Sequence, residues 1–528
     1  MRAGPLSVDY LEGSLRYFRF GNREILRRLY PALRDPDWRT AVVIRTNEQI
    51  DEREDAFRIS YDWYTEDLGL HMRGTVVLTG AADGTVTFDW TGEALSAFSK
   101  NRLGLCALHP LAPGLPCRVL HPDGSATLAA FPDKIDPHQP FFDVAGMEWS
   151  AGPGLTACLR FEGEVFESED QRNWSDASFK TYSTPQRFPQ PVRVETGEVF
   201  HHTIVLSFSG EMPAFEADEA IVRIDLEGDP KPFVRWGLGW WPGHSLTEEE
   251  KAWLKKLTPA HLRVAVGSDD DRSTVDQAAE TGLPLRVDVS VERLPVWLPG
   301  HPAIKEVVHV SSDGWTTAGQ LEGENPADRR GGGTVGHFAD LNRNPFDFSR
   351  VDFVSFALTP TAHNPDTWTL FENLPAQADQ VRTASARSGK PVSVAHVTLF
   401  PRPEQPAEPD ARQHTDLGVT WLIGSLKYLS EAGAESATFE DLTGPYGLIH
   451  NGQPTPACQL FAFLSEFRPE RVIPSRSSQP RLCSSLVLEK ADGWKTTLLA
   501  NHTDAPVDVR LPGATTVMLG PYEWKAIY

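Results

Sequence analysis

The sequence predicts a multidomain protein, α/β plus all-β: an N-terminal β-sandwich, a central (β/α)8 TIM barrel and a small C-terminal β-sandwich. Three observations predict it. Short segments with two-residue hydrophobic alternation fill the first part of the chain, strand–helix–strand alternation follows, and alternation by two returns near the end. The boundaries read this way are 1–215, 228–470 and 471–528.

The first part reads as strands at 16–20, 41–44, 57–61, 72–78 and 85–90, punctuated by Gly, Asp and Asn. Residues 22–28, rich in Arg and Glu, read as a surface helix. A last strand at 201–208 leads into the linker Gly210-Glu211-Met212-Pro213. In the centre, strands are expected at 233–239, 261–266, 284–289, 304–310, 334–340, 352–357, 392–399 and 436–440. Helices are expected at 247–256, where three Glu follow a Thr cap, at 372–388 and at 418–432. Eight strand–helix units in roughly 210 residues suit a TIM barrel at the short end of its range. A doubly wound sheet would want a GxGxxG turn after its first strand, and Gly237-Leu238-Gly239-Trp240-Trp241-Pro242 does not supply one. Gly331-Gly332-Gly333 reads as a flexible turn, with no Lys-Ser/Thr after it to make a phosphate cradle. The tail offers strands at 483–489, 494–502, 507–511 and 516–519, too few to bury a core alone.

A formal charge of −22 over 528 residues repels nucleic acid and anionic membranes, so a small neutral or locally compensated molecule is the expected partner. Five scattered Cys without a CxxC pair fit reduced thiols in a cytoplasm. No apolar run reaches the roughly 20 residues of a membrane span. Neither HxH nor HExxH spacing occurs, so no metal and no cofactor are expected.

The run from Glu167 to Lys180 concentrates four carboxylates, one guanidinium, one ammonium, two amides and an indole between strand-like segments. Hydrogen bonds at the edges of a polyhydroxylated ligand and an indole against its C–H face would use that set. A buried ion-pair network would use it equally. Its charge density is hard to explain on a free surface, so the stretch from Glu169 to Lys180 is expected to leave the N-terminal domain and reach the barrel mouth.

That string, with Leu341-Asn342-Arg343-Asn344 and Thr398-Leu399-Phe400-Pro401-Arg402, resembles the D-apionate lactonase family over nearly the whole chain. The resemblance implies a glycoside-hydrolase-like three-domain build and a hydrolase that opens D-apionolactone to D-apionate in sugar-acid catabolism.

Active sites of TIM barrels sit at the strand C-termini. The polar residues expected there are Trp240 and Trp241 after strand one, Asp288 after three and His309 after four. Asp340, Asn342 and Arg343 follow strand five, His363 six and Arg402 seven, with Glu440 and Asp441 at eight. Lactone hydrolysis needs a base for water and donors for an oxyanion. Asp340, His363, Glu440 and Asp441 are the candidate catalytic residues, and of the adjacent last pair one points inward. Asp170, Arg172, Asn173, Trp174, Asp176, Lys180, Trp240, Asn342, Arg343 and Arg402 are the candidate substrate-binding residues. Structural readings stand beside these: Asp340 can pair with Arg343, and Trp240 can simply pack. A glycosidase of the common barrel type would place Glu after strands four and seven, where none stands. A glycosidase with displaced carboxylates, or a non-catalytic sugar-binding protein, remains the alternative.

Overall fold

The computed structural model describes residues 1–217, 219–399, 409–513 and 516–528. It divides into two compact units, one of residues 1–171 and 178–219, the other of residues 172–177 and 220–528.

The first unit is an antiparallel sandwich whose described residues form an eight-stranded and a nine-stranded sheet. Phe57–Asp67 pairs with Leu70–Gly80 along its whole length, and its alternate side chains are buried, as the two-residue period requires. Trp63 and Trp90 stack at 5.2 Å in this core. Fully buried Leu78 and Phe88 each contribute about 1.5–3 kcal/mol by leaving water. The helix expected at 22–28 is instead the strand Arg23–Arg34. Its ladders to Ser14–Phe20, which takes residues 23–29, and to Arg102–Pro110, which takes residues 28–34, outweigh the local helix propensity of its Arg, Glu and Leu residues, and Arg27 pairs with Glu24 at 2.5 Å. The strand expected from Ala41 begins only at Ile44.

In the second unit, eight parallel strands close on themselves: Arg235–Gly239, Leu262–Val266, Leu285–Ser290, Ile304–Val310, Arg329–His337, Phe353–Leu358, Val392–Val397 and Ser436–Thr443. The first pairs with the eighth, Arg235 opposite Ser436, which completes the barrel. Between strands lie α1 (Glu248–Leu257), α2 (Arg272–Ala279), α3 (Phe338–Arg343), α4 (Thr367–Glu372), α5 (Ala376–Ser388) and α6 (Asp416–Ala432), and α7 (Pro456–Phe467) follows the last. Thr247 and Glu250 form the capping box that starts α1. The single helix expected at 372–388 breaks at Asn373–Pro375, because Pro375 has no N–H to continue the first helix.

Gly331, Gly332 and Gly333 lie within the fifth strand and not in a turn. A Cβ on Gly331 would stand 2.4 Å from the Phe353 ring and one on Gly333 2.0 Å from the Ser355 carbonyl, so the sixth strand lies where only glycine fits. The fifth strand thus already runs through the glycines; it ends at His337, three residues before the expected end, and Asp340 falls in α3.

The C-terminal β domain packs on α6 through the strand Cys483–Glu489. Lys427 on α6 donates to Ser475 O at 2.6 Å and pairs with Glu431 at 2.6 Å. Ile221–Leu226, which the sequence left between domains, joins this region by pairing in parallel with Val507–Arg510.

Candidate active site

The strand Phe166–Asp170 runs into a 3-10 turn at Gln171–Trp174, and Ser175 adopts φ +71° before Ser178–Tyr182 resumes the sheet. Residues 172–177 pack within the barrel unit. Arg172, wholly buried, donates to Asp379 of α5 at 2.9 Å. Gln380 donates to Arg172 O at 2.7 Å and to Ser175 Oγ at 3.2 Å. Asn342 of α3 donates to Asn173 Oδ1 at 2.8 Å, and Ala177 N donates to Asn373 Oδ1 at 3.0 Å. Arg172, Asn173 and Ser175 thus anchor the segment, as the ion-pair reading of the charged run expects.

The anchors hold Trp174 and Asp176 against residues that follow strands five and six. His363 Nδ1 donates to Asp176 Oδ2 at 2.6 Å, and Asn373 Nδ2 donates to Asp176 Oδ1 at 3.1 Å. The Asp176 side chain is 6% exposed and that of His363 21%, so the carboxylate is inside and the imidazole reaches solvent. A carboxylate on Nδ1 requires the proton there, which leaves the lone pair on Nε2. Trp174 is half-buried, its ring 5.5 Å from His337 and 6.1 Å from His363, and the Arg343 guanidinium lies 5.3 Å over it.

The barrel interior holds a second polar group. Asp288 accepts from Arg263 at 2.5 Å and from Arg286 at 2.9 Å, and Arg286 reaches Ser393 and Ser355 at 2.5 and 2.6 Å. Burial would raise the Asp288 carboxyl, but Arg286 and Arg263 outweigh it and hold it below the usual range. Burial brings His396 down to about 3, with Arg263 adding to the fall, so its imidazole is neutral. Burial raises Asp441 to about 6, and Arg263 opposes the rise.

The eighth strand carries a bulge: Leu238 faces Phe439, but Gly239 faces Asp441, and the extra residue, Glu440, has φ +41°. A Cβ on Gly239 would stand 2.0 Å from Asp441 Oδ1, so this glycine makes room for the carboxylate. Glu440 is buried on the helix side: burial raises the Cys458 thiol of α7 to about 12, and Glu440 adds to that rise. Burial, then Asp441, push Glu440 well above the ordinary carboxyl range.

The remaining expectations divide. Asp170 and Lys180 stay in the sandwich: Asp170 accepts from Asp136 N at 3.0 Å, and burial brings Lys180 down to about 7. Asp340 stands three residues past the end of the fifth strand, in the first turn of α3 beside Gly336, whose Cβ would meet Asp340 Oδ2 at 2.5 Å. Asp288, by contrast, is within its strand, which runs on to Ser290. Trp240 lines a cavity with residues of α1 and α2, on the helix side of the barrel. Its neighbour Trp241 packs across Gly444 and meets Tyr446 edge-on at 6.0 Å, beside the end of the eighth strand. Arg402 lies outside the described residues. His337, Arg263, His396 and Tyr446 were not anticipated. The alternation around Gly239 was the available signal for choosing Trp241 over Trp240, since consecutive residues face opposite ways.

Among the described residues, no three His, Cys, Asp or Glu side chains group to hold a metal ion, and no helix is long and apolar enough to cross a membrane. Three domain models of one family match the chain: the D-apionate lactonase N-terminal domain over residues 1–211, its TIM barrel domain over 318–469 and its C-terminal immunoglobulin-like domain over 480–527. A Brucella anthropi protein named D-apionate lactonase is 28% identical over 518 residues, covering 87% of this chain and 84% of that protein. Among solved structures, an alpha-L-arabinofuranosidase from Thermotoga maritima is 12% identical with a TM-score of 0.38, covering 59% of this chain and 98% of that one. A GH30 endoxylanase from Clostridium papyrosolvens C71 is 10% identical with a TM-score of 0.39, covering 58% and 98%.

Proposed function

From the premise that the chain belongs to the D-apionate lactonase family, carrying all three of its domains, we propose that it opens D-apionolactone to the aldonate with His363 as general base. It is a hydrolase of sugar lactones. The observation that carries the assignment of the base is the 2.6 Å bond from His363 Nδ1 to buried Asp176.

His363 Nε2 takes a proton from water as the water oxygen bonds to the lactone carbonyl carbon. Asp176 stabilises the imidazolium that forms and keeps the ring oriented. The carbonyl oxygen becomes an oxyanion, for which Arg343, lying over the indole that His363 meets edge-on, is the donor. On collapse the bond from carbonyl carbon to ring oxygen breaks. The imidazolium proton goes to that oxygen, leaving a free hydroxyl and a carboxylic acid, which releases its proton to solvent and becomes the carboxylate. The indole of Trp174 offers its exposed part to the C–H face of the sugar. Five free thiols accord with a cytoplasmic enzyme.

Proton release from D-apionolactone and from unbranched aldonolactones tests the reading. His363→Ala and Asp176→Asn should each lower kcat by roughly 100-fold, and full activity in both would overturn it. A second reading makes Asp441 the base, favoured by its carboxyl at about 6. It requires His363→Ala to stay active and Asp441→Asn to lose activity. Turnover of an aryl glycoside, but of no lactone, would favour glycosidase chemistry instead.

A further inference from the structure

One unassigned feature is the cavity that Trp240 lines, about 590 Å³ in volume, bounded by the loop after the first strand, α1 and α2. That volume falls in the range of small-molecule sites, roughly 300–1,000 Å³. Trp240, Leu246, Leu254 and Leu283 give it apolar walls. Two lining side chains carry buried polar atoms without a hydrogen-bond partner: the Trp240 Nε1 donor and the Gln277 Oε1 acceptor. Such groups cost stability unless something pairs with them. Trp240 is 93% buried, being 7% exposed. Two ammonium groups, Lys251 and Lys255, and one carboxylate, the exposed Glu280, also line the cavity. Lys251 is bound to Glu248 at 2.8 Å, while Lys255 has no ion-pair partner among the described residues.

We propose that this cavity is a binding site for a small organic anion with an apolar body, such as an aromatic or alicyclic carboxylate, and that its occupancy acts on the barrel mouth. The apolar walls take the body, Lys255 takes the negative charge, and a polar substituent pairs with Trp240 or Gln277. The coupling is built into the chain. Trp240 faces the cavity while the adjoining Trp241 lies across Gly444 beside the eighth strand's end, so a ligand that moves the first indole moves the peptide that carries the second. The capping box and the bond from His244 to Glu250 at 2.9 Å fix the far end of the same loop, which confines any shift to the stretch holding both tryptophans.

The test uses the full chain and 8-anilinonaphthalene-1-sulfonate, an aromatic anion, followed by its fluorescence and by quenching of indole emission. Saturable one-to-one binding is expected, weakened roughly fivefold in Lys255→Ala and abolished in Thr281→Trp, whose indole would fill the cavity. Saturating probe should also change KM for the lactone at least about twofold in the parent and not in Thr281→Trp. Should that variant fail to fold, Ser245→Trp blocks the cavity from an exposed loop position. Absence of saturable binding, or binding that survives both blocking variants, would overturn the site. Saturation that leaves KM and kcat unmoved would overturn the coupling.

Discussion

Replacing Asp441 with Asn removes a charge while keeping the shape, and its effect on stability follows from one environment. The carboxyl stands at about 6, raised chiefly by burial, against 3.8 in the unfolded chain. Below pH ~4 it is protonated in both states and costs nothing. As pH rises through about 6 the folded protein must release that proton against burial, and the difference of about two units amounts to ~3 kcal/mol, an upper bound because Asp441 is only half-buried. Wild type therefore loses this stability between pH ~4 and ~6, and the Asn variant does not. Melting temperatures of the two should coincide at pH 4 and diverge above pH 6, with the variant higher by up to roughly 5 °C for a unit of this size. Scanning both proteins at half-unit pH steps measures the divergence. A constant offset across pH would mean that Asp441 does not titrate there and that the reasoning fails.

The proposed base gives a second outcome: His363→Ala and Asp176→Asn lower kcat by roughly 100-fold with little change in KM, read by proton release under saturating lactone. Glu440→Gln, by contrast, should leave activity within about twofold and should not lower the melting temperature, since burial disfavours the charge it removes and the side chain lies by Cys458 of α7. Circular dichroism melts and the same lactone assay check it. Arg172→Met leaves Asp379, partly exposed, with only the exposed Arg382 at 3.4 Å and should cost roughly 1–3 kcal/mol. Urea denaturation reads that loss, and limited proteolysis should show a new cut near residues 171–178.

Much of the fold was legible because periodicity is a local property. Alternation at 57–61 and 72–78 and the Thr-Glu-Glu-Glu start of α1 both state their structure within a few residues. Residues 22–28 misled because their Arg, Glu and Leu favour a helix in isolation, whereas the chain turns back at Gly21 and pairs them with the preceding strand, Ser14–Phe20. The fifth strand misled for a related reason: three glycines mark a turn in isolation, yet here they let Phe353 and Ser355 of the next strand approach. At the site, the sequence found Trp174, Asp176, Arg343 and His363 but could not pair them, since Asp176 and His363 are 187 residues apart. It could not tell Glu440 from Asp441 because a single bulged residue decides which of them faces Gly239. Lys180 and Asp170 belonged to the same charged run and went elsewhere, since the chain crosses from one unit to the other inside it.

That crossing limits how such a protein can evolve by recombination. Six residues, 172–177, belong to the barrel unit but are encoded inside the sandwich. A gene that donated only its barrel would leave behind the carboxylate that orients His363, and one that exchanged its first domain would import a foreign Asp176 along with it. Breakpoints at the domain borders, the usual seams of modular shuffling, would thus separate His363 from the residue that orients it. The two stretches of gene are bound to be inherited together, and substitutions at 172–177 should keep step with those around His363 and Asp379.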